Sequence, residues 1–377
     1  MESIKQIQKA GPDSSVAQIG TIQIYGIDEK RVREICDEKL QYAIRDLTTE
    51  ASNVAKQKVN EFITVLLGKL SGRKPDLSAF AEPSFQRELV KAQTFSATSD
   101  RKSDFEILSE LLLARMNRQL KRKTKTGISR AMEVVTELDD DELLGITIVF
   151  LVLALSITPQ FGSDIQAGLD KFEQIFAQFP LDELPSTTSW FENLNMLDAV
   201  IINPFGGFSK FTDVFENKLN GYVCVGIRRD SPEFEKANEL LQKASLSELL
   251  LTSNEFLQGY YRLPIVAKAD IKSLSLQKEI FDPKSGQTIQ VITPITDHML
   301  QTLSEIFALY SKDKKLLSEV KRNFEAKLSK YPSLCRVQKW FDAIPTSFRI
   351  TKVGRALAYV NGKRYVPDLP ELSLESD

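Results

Sequence analysis

A mainly α-helical fold is predicted, with a long N-terminal helix, a helical core, a smaller α+β C-terminal part and a short N-terminal β segment. Three observations predict it. Residues 28–67 contain neither Pro nor Gly, the two residues that interrupt helices. Residues 143–157 form an uncharged apolar stretch placed directly behind Asp139-Asp140-Asp141-Glu142. After about residue 210, β-branched runs begin to alternate with helical ones. The division that follows is 1–27 (polar, with short strands), 28–80 (long helix and loop), 81–208 (helical core) and 209–377 (α+β, with an acidic tail).

The elements follow in order. Pro12, Asp13, Ser14 and Ser15 oppose helix, and Val16, Ile19, Ile22 and Ile24 then supply strand chemistry. A lone strand is unstable in water, so this one is expected to pair at a distance or with another copy of the chain. Asp28 is the expected cap of a helix running to about residue 70. Its steps of three and four residues, with Leu40, Leu47 and Val54 among them, resemble a coiled-coil seam in need of a partner. Pro83 starts a helix with Phe85 and Leu89 inward. Residues 103–138 read as one or two helices broken near Gly127. Asp139 as N-cap and Glu142 at the third helical position announce the apolar helix. Fifteen residues of helix rise about 22 Å, short of the roughly 30 Å hydrocarbon layer, so a core helix is expected and not a membrane span. Amphipathic helix continues through 162–200. Asn203-Pro204-Phe205-Gly206-Gly207-Phe208 reads as a turn at a buried edge. Strands are expected at 222–227, 263–268 and 288–292, and helices at 233–257, 296–311 and 313–330. Thr351 is the expected cap of a last short helix with Val353, Leu357 and Val360 inward.

Composition excludes much chemistry. The 377 residues include one histidine and three cysteines, and 49 basic residues balance 51 acidic ones to a net charge of −2. Whole-chain attraction to nucleic acid or anionic lipid is therefore absent, although a local patch is not. His298 is the lone imidazole and falls in the first turn of a helix capped by Thr296, a structural position. Cys36, Cys224 and Cys335 are too scattered for a zinc site and read as reduced thiols. No glycine-rich phosphate loop and no GxSxG elbow occurs. No catalytic, cofactor-binding or metal-ligating residue is assigned. Residues 1–15 carry no secretory pattern, so the cytoplasm is the expected location.

Several stretches together resemble one family. They are the Gln/Gly/Ile tract at 16–24, Glu82-Pro-Ser-Phe-Gln86 with Lys91-Ala-Gln93, the 108–115 helix, Ala131-Met-Glu-Val134, and the closing Ile350-Thr-Lys-Val-Gly-Arg-Ala-Leu-Ala358. The family is a set of uncharacterised bacterial proteins named only by paired locus tags. The resemblance implies no reaction and no cofactor. Similar N-terminal tracts occur on bacterial defence proteins, which is the setting it suggests. The closing octet is also similar to the end of many winged-helix domains.

Three functions compete. The first is a non-enzymatic, self-associating interaction protein, with Val16, Ile19, Ile22, Ile24, Leu40, Leu47 and Val54 at the contact between copies and a protein partner on the C-terminal part. The second is nucleic-acid binding. Arg115, Arg118, Lys121, Arg122 and Lys125 belong to a basic run without an acid, and helical spacing puts Arg115, Arg118, Arg122 and Lys125 on one face. The third is a membrane-active effector using 143–157.

Overall fold

The computed structural model describes residues 28–44, 48–73, 76–117, 119–156, 165–273, 275–282 and 287–370. The expected N-terminal strand, Leu47, Arg118 and the end of the acidic tail lie outside these residues. The chain divides into two compact units between Thr98 and Ser99.

The first unit is helical. Helix α1 (Glu29–Ala43) starts where the Asp28 carboxylate accepts the Arg31 amide at 2.8 Å, as the sequence predicts. Helix α2 (Thr49–Arg73) and a 3₁₀ turn (Leu77–Ala81) lead to α3 (Pro83–Thr98). Both α1 and α2 pack on α3. Val32, Ile35 and Leu40 of α1, Val59, Phe62 and Leu66 of α2, and Phe85, Leu89 and Ala92 of α3 fill the core. Phe80 and Phe85 meet edge to face, with centroids 4.8 Å apart. The buried Gln93 donates to the Cys36 carbonyl at 3.0 Å and ties α3 to α1.

The expected single helix over 28–70 is therefore two. Its length is the reason. α3 rises only about 24 Å, whereas an unbroken 43-residue helix would rise about 64 Å and carry most of its apolar stripe past the end of α3. Two shorter helices can both lie on α3. Of the predicted seam, Leu40 is thus covered inside the chain, whereas Ala51 and Val54 are exposed.

The second unit begins with α4 (Lys102–Met116), α5 (Arg122–Val134) and α6 (Asp140–Ala154). The break expected near Gly127 falls instead at 117–121, and Gly127 lies inside α5. A Cβ on Gly127 would meet the Lys352 Cβ at 2.8 Å, so this glycine is needed for close packing and not for a turn. α6 is the expected core helix, with Leu144, Ile146, Ile148, Val149 and Leu151 buried. At its start the Glu142 carboxylate accepts the Asp139 amide at 3.0 Å, the predicted half of a capping box. No helix among the described residues is long and apolar enough to cross a membrane.

Helices α7 (Ile165–Phe176) and α8 (Ser189–Met196) precede strand β1 (Val200–Asn203) and α9 (Phe211–Lys218). Next come β2 (Ile227–Arg228), α10 (Pro232–Lys243), β3 (Thr252–Ser253) and β4 (Tyr260–Arg262). They form a small antiparallel sheet in the order β2-β4-β3. Strands β5 (Ser275–Asp282) and β6 (Gln287–Pro294) make a hairpin. Helices α11 (Asp297–Ala308), α12 (Lys314–Leu328) and α13 (Pro332–Asp342) follow, then β7 (Ser347–Ile350) and α14 (Lys352–Tyr365).

Strands β1 and β7 pair antiparallel, with Val200 opposite Ile350 and Asn203 opposite Ser347. α14 packs against α4, α5 and α6. The end of the chain therefore completes the helical core, and residues 99–377 form one compact unit that spans the division expected at 208. Gly354 makes this closure possible. A Cβ there would stand 2.1 Å from the Ala199 carbonyl oxygen.

Candidate interaction surfaces

The residues expected at a contact between copies divide. Leu40 is buried in the first unit. Val54 is 56% exposed on α2, and Ala51, one turn earlier on the same face, is exposed as well. Tyr42 near the end of α1 is 65% exposed. Val16, Ile19, Ile22, Ile24 and Leu47 lie outside the described residues.

The basic run does not form one helix face, because α4 ends at Met116 and α5 starts at Arg122. Arg115 closes α4, half-buried, and its Nε is buried without a hydrogen-bond partner. Lys121, Arg122 and Lys123 are exposed at the start of α5, and Lys125 is half-buried one turn on. No acid stands in the first turn, and the N-cap residue Lys121 supplies no capping bond from its side chain. Arg130, further along, is paired with Glu133 at 3.1 Å and Asp198 at 3.7 Å. The closing octet forms the start of α14, where the Thr351 hydroxyl accepts the Val353 and Gly354 amides at 3.2 Å each. The predicted inward residues Val353, Leu357 and Val360 are buried.

Sequence reasoning missed a second exposed apolar segment. Met196, Ile201 and Phe205 lie within ten residues, and Phe205 is 98% exposed. A turn at a buried edge predicts both flanking phenylalanines inward. Only Phe208 is so placed, 4.9 Å from Phe341 and 5.0 Å from Phe348. The signal in the sequence is the pair Pro204-Phe205 before two glycines, but nothing local says which phenylalanine turns inward.

Among its described residues the second unit holds a cleft and a groove. A cleft of about 490 Å³ is lined by Glu255, Asn323, Lys327, Lys330, Tyr331 and Gln166. Four of its polar side chains, Glu255, Lys327, Gln166 and Tyr331, are engaged in bonds with neighbouring side chains. Lys327 pairs with Glu255 at 2.8 Å, and the Tyr331 hydroxyl accepts from Gln166 and donates to Asp170 at 3.0 Å. A groove of about 430 Å³ lies between the end of α6 and β7, with Leu153, Arg349 and Arg355 at its wall.

The buried ionisable groups have structural roles. Lys218 donates to the Val152 and Leu155 carbonyls, at 2.6 and 2.5 Å, and so caps the end of α6. Burial lowers its ammonium to about 8. Burial pushes the Cys224 thiol up to about 12. Beside it, the buried Arg262 lies 3.7 Å over the Tyr222 ring. Desolvation also raises Glu142, which Asn193 holds by bonds of 3.0 and 2.8 Å. His298 is exposed in the first turn of α11, where Thr296 caps the helix as expected. Among the described residues no three of His, Cys, Asp and Glu gather as metal ligands.

The model of one protein family, whose members are uncharacterised, matches residues 26–375. No curated protein and no solved structure matches the chain.

Proposed function

The chain belongs to that uncharacterised family, and on this premise we propose that it is a non-enzymatic, self-associating interaction protein of the cytoplasm. The observation that carries it is the outward face of α2, where Ala51 and Val54 continue the predicted seam beyond the part that α3 covers. One exposed valine is ordinary on any surface. An apolar step of three on a helix whose other face is already buried is what a second copy would cover. Phe205, Ile201 and Met196 give the second unit a separate apolar surface suited to a protein partner.

Mass photometry tests this reading on the full chain, a chain lacking residues 1–27, and Val54→Asp. A defined oligomer is expected for the full chain, with dissociation in at least one variant. A full-length monomer across micromolar concentrations refutes self-association.

A further inference from the structure

We propose that the groove between α6 and β7 docks an extended acidic segment of a partner protein, which adds to the free edge of β7 as a third strand.

Among the described residues, β1 and β7 make a sheet of two strands. Its register shows which backbone groups lie on the outer edge of β7. The Thr351 amide donates to the Ala199 carbonyl at 3.0 Å, and Arg349 stands opposite Ile201. In an antiparallel pair the hydrogen-bonding direction alternates from residue to residue. Residues 349 and 351 therefore face β1, and Phe348 and Ile350 turn their amides and carbonyls the other way. The outer edge of β1 keeps the same alternation, because the Ile202 amide donates outward to the Asn195 side chain at 3.1 Å. On β7 nothing takes that part. Neither Phe348 nor Ile350 makes an outward backbone bond to a described residue. Both residues are buried, at 7% and 6% exposure. Unmade backbone bonds in such a place are costly, and an open strand edge is a template for another strand.

The groove runs along this edge. Three successive residues of β7, Phe348, Arg349 and Ile350, line it. Successive side chains of a strand point to opposite faces, so a hollow that touches all three follows the edge of the strand. No residue of β1 lines it, which puts it on the side away from β1. The facing wall is the end of α6, where Leu153 is 42% exposed next to Ala154.

Backbone chemistry and charge together define the occupant. A helix satisfies its own amides and carbonyls and would leave those of β7 unmade. An extended segment supplies both, and it lays alternate side chains against Leu153 and towards the arginines. Arg349 and Arg355 line the groove and no acid does. Arg349 is exposed and forms no ion pair with a described residue. Two carbonyls at the end of α6, which would repel an acid, are covered by Lys218. A segment alternating apolar and acidic residues fits all of these groups. The site is separate from the outward face of α2 and does not depend on self-association.

The test is fluorescence anisotropy of the full chain with a labelled heptapeptide that alternates valine and glutamate, with the exchange of the Phe348 and Ile350 amides read by NMR. Saturable binding is expected, and both amides should exchange at least about tenfold more slowly in the complex. The same peptide N-methylated at every amide should not bind. Arg349→Glu should weaken the acidic peptide several-fold and favour a valine–lysine counterpart, and Leu153→Asp should weaken the acidic peptide as well. Both positions are exposed, so neither variant disturbs the core. No binding at millimolar peptide overturns the proposal, as does equal binding of the N-methylated peptide or unchanged exchange at Phe348 and Ile350. If a chain ending at residue 370 binds the peptide and the full chain does not, the groove belongs to the acidic tail of the chain itself and the partner is refuted.

Discussion

Single residues in this chain are placed by what they leave unsatisfied. Lys218 is the clearest case, because its ammonium ends at two carbonyls of α6 in a site that disfavours charge. Lys218→Met removes both bonds and should cost roughly 1–3 kcal/mol, read as a lower denaturant midpoint. The pH dependence has a definite sign. The folded ammonium is lowered to about 8 from 10.5, so between these values the unfolded chain binds more protons. The stability tied to Lys218 is then fully present above the unfolded value and is lost as pH falls through about 8. The midpoint gap between the native chain and the methionine variant should accordingly be wider at pH 10 than at pH 7. An equal gap at both pH values would remove the burial account. Local chemistry of this sort is only partly legible in advance. Asp28, Thr296 and Thr351 are recognisable as caps because a cap and its amides are three residues apart. Lys218 is not, because its acceptors lie 66 and 63 residues earlier.

At the scale of elements, the helices read well and the strands read poorly, for a physical reason. The 3.6-residue period and the acids before Leu143 both lie within α6 itself, so its class and its start are visible in the sequence. Strand β1 has no such signal. Its partner β7 begins 144 residues after Asn203, and pairing between them makes it a strand. The run 222–227 shows the opposite error. It is apolar and β-branched, yet only Ile227 belongs to a strand. The Tyr222 amide turns back to Leu219 at 2.7 Å, and the Cys224 amide to Tyr222 at 2.9 Å. Helix α10 stops at Lys243, well short of the expected 257, and Ser245 takes a positive φ of 55° two residues later. The last helix offers a sharp test. Alanine for glycine inside an exposed helix stabilises by about 0.5–1 kcal/mol. Gly354→Ala should do the reverse, costing about 1–3 kcal/mol, since the new methyl would meet the Ala199 carbonyl. Thermal melting gives the sign directly, and a raised melting temperature would mean that α14 is free to move away from β1.

For the whole molecule, architecture depends on the last helix. Trp190 stands 5.6 Å from both Trp340 and Phe348, so one aromatic cluster joins α8 to the distant α13 and β7 of the second unit. A chain ending at residue 346 loses β7 and α14 together. Its near-ultraviolet dichroism from Trp190 and Trp340 should collapse, while much of the far-ultraviolet helix signal persists. Retention of the tryptophan signal would show that α4, α5 and α6 pack without α14. The same arrangement has a consequence for how the protein is made. α6 leaves the ribosome about 200 residues before α14, a wait of roughly 10–40 s at 5–20 residues per second. Throughout that interval the most apolar of the described helices lacks the cover that α14 gives it, although α8 and α9 reach it earlier. A message truncated before α14 is therefore expected to yield a more aggregation-prone product, read as a shift from the soluble to the pelleted fraction.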